Sequence, residues 1–184
     1  MKGGAESRQK QAQAKMRQLD EVKAQLEQLG QWQAAVADAE ATLELYDLER
    51  KAATSGARVF LISLMRGHIA DMTRLMAICD ESGITVIEDC AHTMGARWAG
   101  RPTGTFGRAG CFSLHPLKTL AACGDAGVIT TDDETLAAEL GRLRNHGLVD
   151  RDTCERWAPN SRLDPIQAAI LNVKLPHVDA WNET

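Results

Sequence analysis

The first third of the chain carries an apolar stripe at helical spacing. Apolar side chains recur every three or four residues, and the repeat shifts by one residue near Gly30. The members of the stripe are Leu19, Val22, Leu26, Leu29, Trp32, Val36, Ala39, Leu43 and Tyr46. The pattern predicts an amphipathic, coiled-coil-like helical segment over residues 1–57, as two antiparallel helices or one helix kinked at Gly30. Because one stripe cannot bury itself, we expect it to pack against the rest of this chain, another copy or another protein.

From residue 58 onward, short apolar runs alternate with stretches of helical spacing. Strands are predicted at Val59–Leu64, Thr85–Ile87, Ala109–Ser113 and Val128–Thr131. Helices are predicted at Ile69–Ser82 before Gly83, from a cap at Asp132 or Asp133 to about Asn145, and from Asp164 with Pro165 at the first position. Strands that alternate with helices predict an α/β domain with a mostly parallel sheet over residues 58–184.

Composition narrows the classes of partner. The net charge of −4 gives no electrostatic reason to expect nucleic acid or an anionic membrane as a partner. No apolar run approaches the length of about 20 residues that spans a bilayer, and the polar residues 1–15 do not resemble a signal peptide. We therefore expect a cytoplasmic protein.

The cysteines give no sign of a metal site. They lie at wide, irregular spacing and none forms a C-x-x-C pair. The five are Cys79, Cys90, Cys111, Cys123 and Cys154. We expect buried, reduced thiols and no bound metal.

Three chemically useful side chains follow the ends of neighbouring predicted strands. Asp89 comes just after one strand, Ser113 ends the next, and Lys118 follows five residues later in a setting of apolar and small residues. A carboxylate, a hydroxyl and an amine at adjacent strand ends suit pyridoxal 5′-phosphate, which needs a partner for its ring nitrogen, donors for its phosphate and a lysine for its aldehyde.

The same region resembles the DegT/StrS-type nucleotide-sugar aminotransferases, which are fold-type I pyridoxal-phosphate enzymes. The resemblance covers about Val59 to Glu183. It rests on RGHIADM, VIEDCAHTMGARWAGRPTGTFGRAGCFSLHPLKTL, GDAGVITTDDE, LRNHG and PNSRLDPIQAAILNVKLPHVDAWNE, in the family's order. The resemblance implies part of a fold-type I large domain, preceded here by the helical segment.

The resemblance also implies roles for five residues. Asp89 is similar to the acid that pairs with the pyridine nitrogen, and His92 to a residue that contacts the ring or its 3′-oxygen. Ser113 is similar to the phosphate-binding hydroxyl, and Lys118 to the Schiff-base lysine. Asn160 is similar to an asparagine that reaches the phosphate in the neighbouring subunit, which implies a homodimer.

The chain departs from the family's pattern near the lysine and at both flanks. Thr119, Ala121 and Cys123 stand where the family commonly has Asn, a second Asn and an aromatic residue. Family members are about twice as long. They precede the first strand with a phosphate-binding helix N-terminus and follow the last helix with a small domain that closes over the substrate.

Residues Leu19–Glu49 carry a second resemblance, to the helical N-terminal domain of the UGA-reading bacterial peptide-chain release factor. Its Gly-Gly-Gln tripeptide does not occur in this sequence, so termination activity is not implied.

Two functions from different classes follow. One is an aminotransferase that moves an amino group from an amino acid such as glutamate to a keto-sugar nucleotide through a Schiff base on Lys118. The other is a truncated, catalytically inactive chimera that acts as a helical interaction or dimerisation module.

Overall fold

The computed structural model describes residues 15, 20, 22–29, 31 and 45–183, and divides the chain into two compact units, Met1–Tyr46 and Asp47–Thr184. In the first unit, residues 22–29 are helical, as the stripe predicts, with Val22, Leu26 and Leu29 exposed on the surface. The predicted kink at Gly30 and most of the other stripe positions lie outside the described residues. In the second unit, residues 47–55 are helical.

A four-stranded mixed sheet forms the framework of the second unit. Its strands are β1 (Val59–Ser63), β2 (Thr85–Asp89), β5 (Ala109–Ser113) and β6 (Gly127–Thr130), in the order β1-β2-β5-β6. The first three are parallel and β6 runs antiparallel to β5. All four predicted strands are present with bounds within two residues, and the mostly parallel α/β architecture is confirmed.

A small hairpin was not predicted. Strands β3 (Arg97–Trp98) and β4 (Arg101–Pro102) pair antiparallel through Ala99 and Gly100, whose φ angles are +48° and +82°. Two positive φ angles are typical of a tight type I′ turn. Strands of two residues are too short to show a periodic pattern, and alanine is an unusual residue at such a turn. The sequence pattern therefore does not predict this hairpin.

Three ten-residue helices lie within the predicted segments, and the first begins three residues later than the predicted Ile69. They are α1 (Met72–Glu81), α2 (Glu134–Leu143) and α3 (Pro165–Lys174). Asp71 and Asp133 cap the first two by accepting the N–H groups of Arg74 and Leu136 at 3.0 and 2.9 Å. After α1, Gly83 adopts a φ of +64°, as expected of a glycine that ends a helix. A short 3₁₀ turn (Leu175–His177) and α4 (Val178–Asn182) follow α3.

One hydrophobic cluster lies directly beneath the loop that contains Lys118. Its buried members are Leu114, Leu120, Ala122, Leu171 and Val178. Leu114 and Leu120 flank the lysine on both sides in sequence, and Leu171 and Val178 come from α3 and α4. The core therefore fixes the two ends of the loop and leaves the lysine between them half-buried.

The cysteines are all free, as predicted, but they differ in exposure. Cys79 and Cys90 are buried and Cys111 is half-buried, whereas Cys123 and Cys154 are exposed. The prediction of burial was wrong for the last two, because both lie in surface loops after the core strands. Among the described residues, no helix is long and apolar enough to cross a membrane.

Candidate active site

The amine of Lys118 lies against the imidazole of His92. Nζ of Lys118 is 3.0 Å from Nε2 of His92, although 26 residues separate them in sequence. His92 follows β2 and Lys118 follows β5, and these parallel strands are neighbours. The carboxyl ends of parallel strands share one edge of the sheet, which is where ligands bind in open α/β folds. Two of the predicted site residues are therefore in contact at this edge.

Helix α3 holds the segment that follows the lysine. Nζ of Lys174 donates to the carbonyl oxygen of Ala121 at 2.6 Å, and the N–H of Cys123 donates to Oε1 of Gln167 at 2.8 Å. These bonds involve the backbone of two positions at which the sequence departs from the family's usual residues. Side chains from α3 thus fix the backbone there whatever the side chains at residues 121 and 123.

Asp89 lies at the end of β2, and its carboxyl group can accept more hydrogen bonds than it does. Oδ2 accepts the hydroxyl of Ser63 at 3.0 Å and Oδ1 accepts the N–H of Ala91 at 3.1 Å. A carboxylate has about four acceptor positions, so these two bonds leave room for a further donor. Burial first, and then the Asp89 charge, raise the pKa of the thiol of Cys111, its register partner on β5.

Ser113, a half-buried residue, ends β5. Its Oγ accepts the N–H of His115 at 3.4 Å, a long bond that leaves the hydroxyl proton for another acceptor. Ser113 lies two residues beyond Cys111, which pairs with Asp89, so the carboxyl and the hydroxyl belong to the same end of adjacent strands.

Asn160 belongs to a different part of the molecule. Its Oδ1 accepts hydrogen bonds from the backbone N–H and the Nε–H of Arg162 at 3.2 and 3.0 Å, and its backbone bridges to Asn145 after α2. Arg162 donates in turn to Oδ1 of Asn145 at 2.9 Å. The hydrogen bonds of Asn160 therefore connect this loop to the end of α2, and do not join it to Lys118, Asp89 or Ser113 within the described residues.

The sequence reasoning missed Glu88, a fully buried acid next to Asp89. Oε1 of Glu88 accepts the N–H groups of Phe106 and Gly107, and Oε2 accepts that of Gly104, each at 2.7 Å. Burial first, and then this carboxylate, raise the pKa of the neighbouring Cys90 thiol to about 11. The available signal was an acid at an inward position of an otherwise apolar strand, followed by a glycine-rich segment whose N–H groups need acceptors.

Known structures share this arrangement of strands. Streptomyces venezuelae DesV, solved in complex with a ketimine intermediate, superposes with a TM-score of 0.65 at 41% identity over 68% of this chain and 34% of its own. NtdA from Bacillus subtilis, solved with bound PMP, gives a TM-score of 0.60 at 27% identity over 67% of this chain and 28% of its own. The fold is that of the fold-type I aminotransferases, a class that depends on pyridoxal phosphate.

The chain belongs to the DegT/DnrJ/EryC1/StrS aminotransferase family, whose model matches residues 31–184. It is 41% identical over 135 residues to the dTDP-3-amino-3,4,6-trideoxy-alpha-D-glucose transaminase of Streptomyces venezuelae. That alignment covers 73% of this chain and 36% of the relative, so the chain spans about a third of the length of the curated relatives it matches. The resemblance of Leu19–Glu49 to the release factor stays a prediction.

The side chains at the sheet edge fit a pyridoxal phosphate group. The side-chain partner of the Lys118 amine is an imidazole nitrogen of His92 and not a carboxylate that would hold the amine in an ion pair. Asp89 has free acceptor positions and Ser113 a hydroxyl proton to donate. The phosphate would gain one donor from Ser113, whereas the Asn160 side chain is bonded to Arg162 in its own loop.

Proposed function

We propose that this chain provides the lysine-bearing part of a pyridoxal-phosphate-dependent transaminase that acts on a keto-sugar nucleotide. The observation that carries the proposal is the contact of Lys118 with His92 at the sheet edge that also contains Asp89 and Ser113. Family membership supports the reaction class, and the relative from Streptomyces venezuelae, a transaminase of a dTDP-linked amino sugar, supports the substrate class.

Each site residue has a proposed task that its chemistry allows. Nζ of Lys118 would bind the cofactor covalently, and Asp89 would accept the N–H of its ring. His92 would contact the ring or its 3′-oxygen, and Ser113 would donate to the phosphate. When bound, the cofactor supplies an electron-withdrawing ring that stabilises negative charge on the substrate carbon.

Proton movement falls to the lysine. Once its amine is free, Nζ of Lys118 can take a proton from the substrate carbon and return it at a different atom, which is general base and then general acid catalysis. His92 at 3.0 Å would orient the amine for both steps. An amino acid such as glutamate would be the amino donor.

The remaining features of the proposal come from the resemblance. Asn160 would reach the phosphate in a neighbouring subunit, which would make a homodimer the active form. The division into a helical segment, 1–57, and a partial large domain, 58–184, is part of the same proposal, as is a cytoplasmic location.

Binding of the cofactor to Lys118 is the decisive test. Titration with pyridoxal phosphate should produce an absorbance band at about 420 nm, and borohydride reduction should leave a stable adduct on the peptide containing Lys118. Lys118→Ala should abolish both. Lys51→Ala, which removes an exposed lysine paired with Asp47, should change neither.

Failure to label Lys118 specifically would favour the alternative function, a catalytically inactive helical interaction or dimerisation module. A label spread over exposed lysines and unchanged by Lys118→Ala would contradict cofactor binding. Self-association through residues 16–48 in the same preparation would then support the helical interaction module.

A further inference from the structure

His115 makes contacts on both sides of the loop that connects Ser113 with Lys118. Its N–H donates to Oγ of Ser113 at 3.4 Å, and its carbonyl oxygen accepts the N–H of Lys118 at 2.9 Å. Its ring adds a third contact, because the N–H of Leu117 donates to Nδ1 of His115 at 3.1 Å. His115 thus makes hydrogen bonds to Ser113, Leu117 and Lys118.

The ring contact fixes the tautomer of the imidazole. A ring nitrogen accepts a hydrogen bond only when it carries no proton, so Nδ1 must be unprotonated and the ring proton must be on Nε2. Nε2 lies 4.0 Å from Oδ1 of Asp125, which places the protonated side of the ring toward a carboxylate. The unprotonated Nδ1 therefore faces a hydrogen-bond donor, and the protonated Nε2 faces a carboxylate.

The bond to Nδ1 matters because Leu117 has little else to hold it. Leu117 is 88% exposed, and Pro116 before it has no N–H to contribute. Burial at Leu114 and Leu120 fixes the ends of the loop, whereas the hydrogen bonds of His115 fix its middle, where Lys118 projects toward His92.

We infer that His115 is a positioning residue for Lys118: its Nδ1 holds the N–H of Leu117 and so directs the lysine amine to His92. This inference rests on the proposed function only for its consequence, the binding of cofactor at Lys118. The hydrogen bond, the tautomer and the placement of the amine against His92 are properties of the protein by itself.

Three substitutions separate this role from a general structural one. Asn carries a side-chain oxygen at the position of Nδ1, so His115→Asn preserves the acceptor. Gln places its oxygen one bond further out, and Ala has none, so His115→Gln and His115→Ala remove it. His68→Ala, at an exposed histidine between β1 and α1, is the matched control.

The first measurements are made without cofactor. Amide hydrogen exchange of Leu117 should be slow in the wild type and His115→Asn, and on the order of tenfold faster in His115→Ala and His115→Gln. Nitrogen NMR of the imidazoles should show the Nε2–H tautomer for His115. The His92 ring resonances should shift in the Ala and Gln variants and return toward wild type in the Asn variant.

The second measurement uses pyridoxal phosphate followed by borohydride. Labelling of Lys118 should be similar in the wild type, His115→Asn and His68→Ala, and on the order of tenfold slower in the Ala and Gln variants. Backbone amide spectra of each variant check that it is folded.

The outcomes distinguish this inference from the proposed function. Equal Leu117 exchange in all variants, a protonated Nδ1, or unchanged His92 resonances would overturn the inference even if Lys118 binds the cofactor. The expected exchange and His92 pattern, together with no specific labelling of wild-type Lys118, would support the positioning role and contradict the proposed function.

Discussion

Nζ of Lys118 and Nε2 of His92 meet at 3.0 Å, across the gap between two loops that leave adjacent parallel strands. The pair links the amine to the segment that begins at Asp89, three residues before His92. A single side-chain contact therefore connects the part of the chain that follows β5 with the acid at the end of β2.

The Lys118–His92 contact predicts a graded effect of substitutions at His92. His92→Ala should slow the borohydride-trapped labelling of Lys118 by about tenfold, the factor expected for one lost hydrogen bond to a charged group. His92→Gln keeps an amide oxygen within reach of the amine and should lose less. Labelling is measured by peptide mass spectrometry, and an Ala variant that labels as fast as wild type would show that His92 does not orient the amine.

Glu88 predicts a large stability effect from the loss of a single charge. Glu88→Gln keeps the volume but replaces one acceptor oxygen by an NH₂ group, so at least one of the N–H groups of Gly104, Phe106 and Gly107 loses its partner. Unfolding by urea should show a loss of about 1–3 kcal/mol.

Glu81→Gln is the control for Glu88. Glu81 is an exposed acid at the end of α1, and its substitution should change the free energy of unfolding by less than about 0.5 kcal/mol. Equal effects of the two substitutions would mean that the buried carboxylate does not hold the glycine-rich segment.

Two glycines of the chain predict opposite effects of the same substitution. A Cβ at Gly110 on β5 would press against Cα of Gly104 and lie 2.6 Å from its carbonyl oxygen, and backbone cannot rotate away. Gly110→Ala should therefore destabilise the protein by about 1–3 kcal/mol. At Gly141 in α2 a Cβ has open space, so Gly141→Ala should stabilise by up to about 1 kcal/mol.

Thermal unfolding of both glycine variants checks the prediction. Gly110→Ala with a melting temperature at or above that of wild type would contradict the close packing of β5 against the segment at Gly104.

Asp133 predicts a pH-dependent contribution to stability. The N–H of Leu136, and then the guanidinium of Arg108, lower the pKa of this carboxyl below its usual range. Because the pKa is lower in the folded state, the unfolded chain binds a proton at a higher pH than the folded protein does as the solution is acidified. The contribution is then complete above the ordinary aspartate pKa of about 3.9 and is lost as the pH falls through the lower folded value.

Asp133→Asn should therefore be less stable than wild type at neutral pH, and the two proteins should converge in strongly acidic solution. Urea unfolding over a series of pH values measures the difference. The adjacent exposed Asp132 provides the control variant, Asp132→Asn, and a gap between wild type and Asp133→Asn that stays constant into acid would contradict the prediction.

The sequence predicts the framework well because that framework depends on local patterns. Apolar runs of strand length predicted β1, β2, β5 and β6, and the cap Asp133 and the first-turn proline Pro165 marked two helix starts. The placement of Asp89, Ser113 and Lys118 at neighbouring strand ends follows from the same patterns, whereas the contact of Lys118 with His92 was not predicted.

What the sequence concealed depends on contacts between distant residues. The acceptors that Glu88 offers to Gly104, Phe106 and Gly107, and the bonds from Lys174 and Gln167 to the segment after Lys118, join positions 16 to 53 residues apart. No local period encodes such pairs. The exposure of Cys123 and Cys154 escaped prediction for the same reason, because it depends on which loops reach the surface.

The alternation of β2 gives two neighbouring acids two unrelated tasks. Successive side chains of a strand point to opposite sides, so Glu88 faces the glycine-rich segment inside while Asp89 faces Ser63 on the half-open side. A one-residue deletion before Glu88 in β2 would move Asp89 into the inward position of Glu88, and an insertion would move Glu88 into the edge position of Asp89. Neither change would keep a carboxylate at both positions. The register of β2 therefore affects both the stability of the fold and the chemistry of the sheet edge.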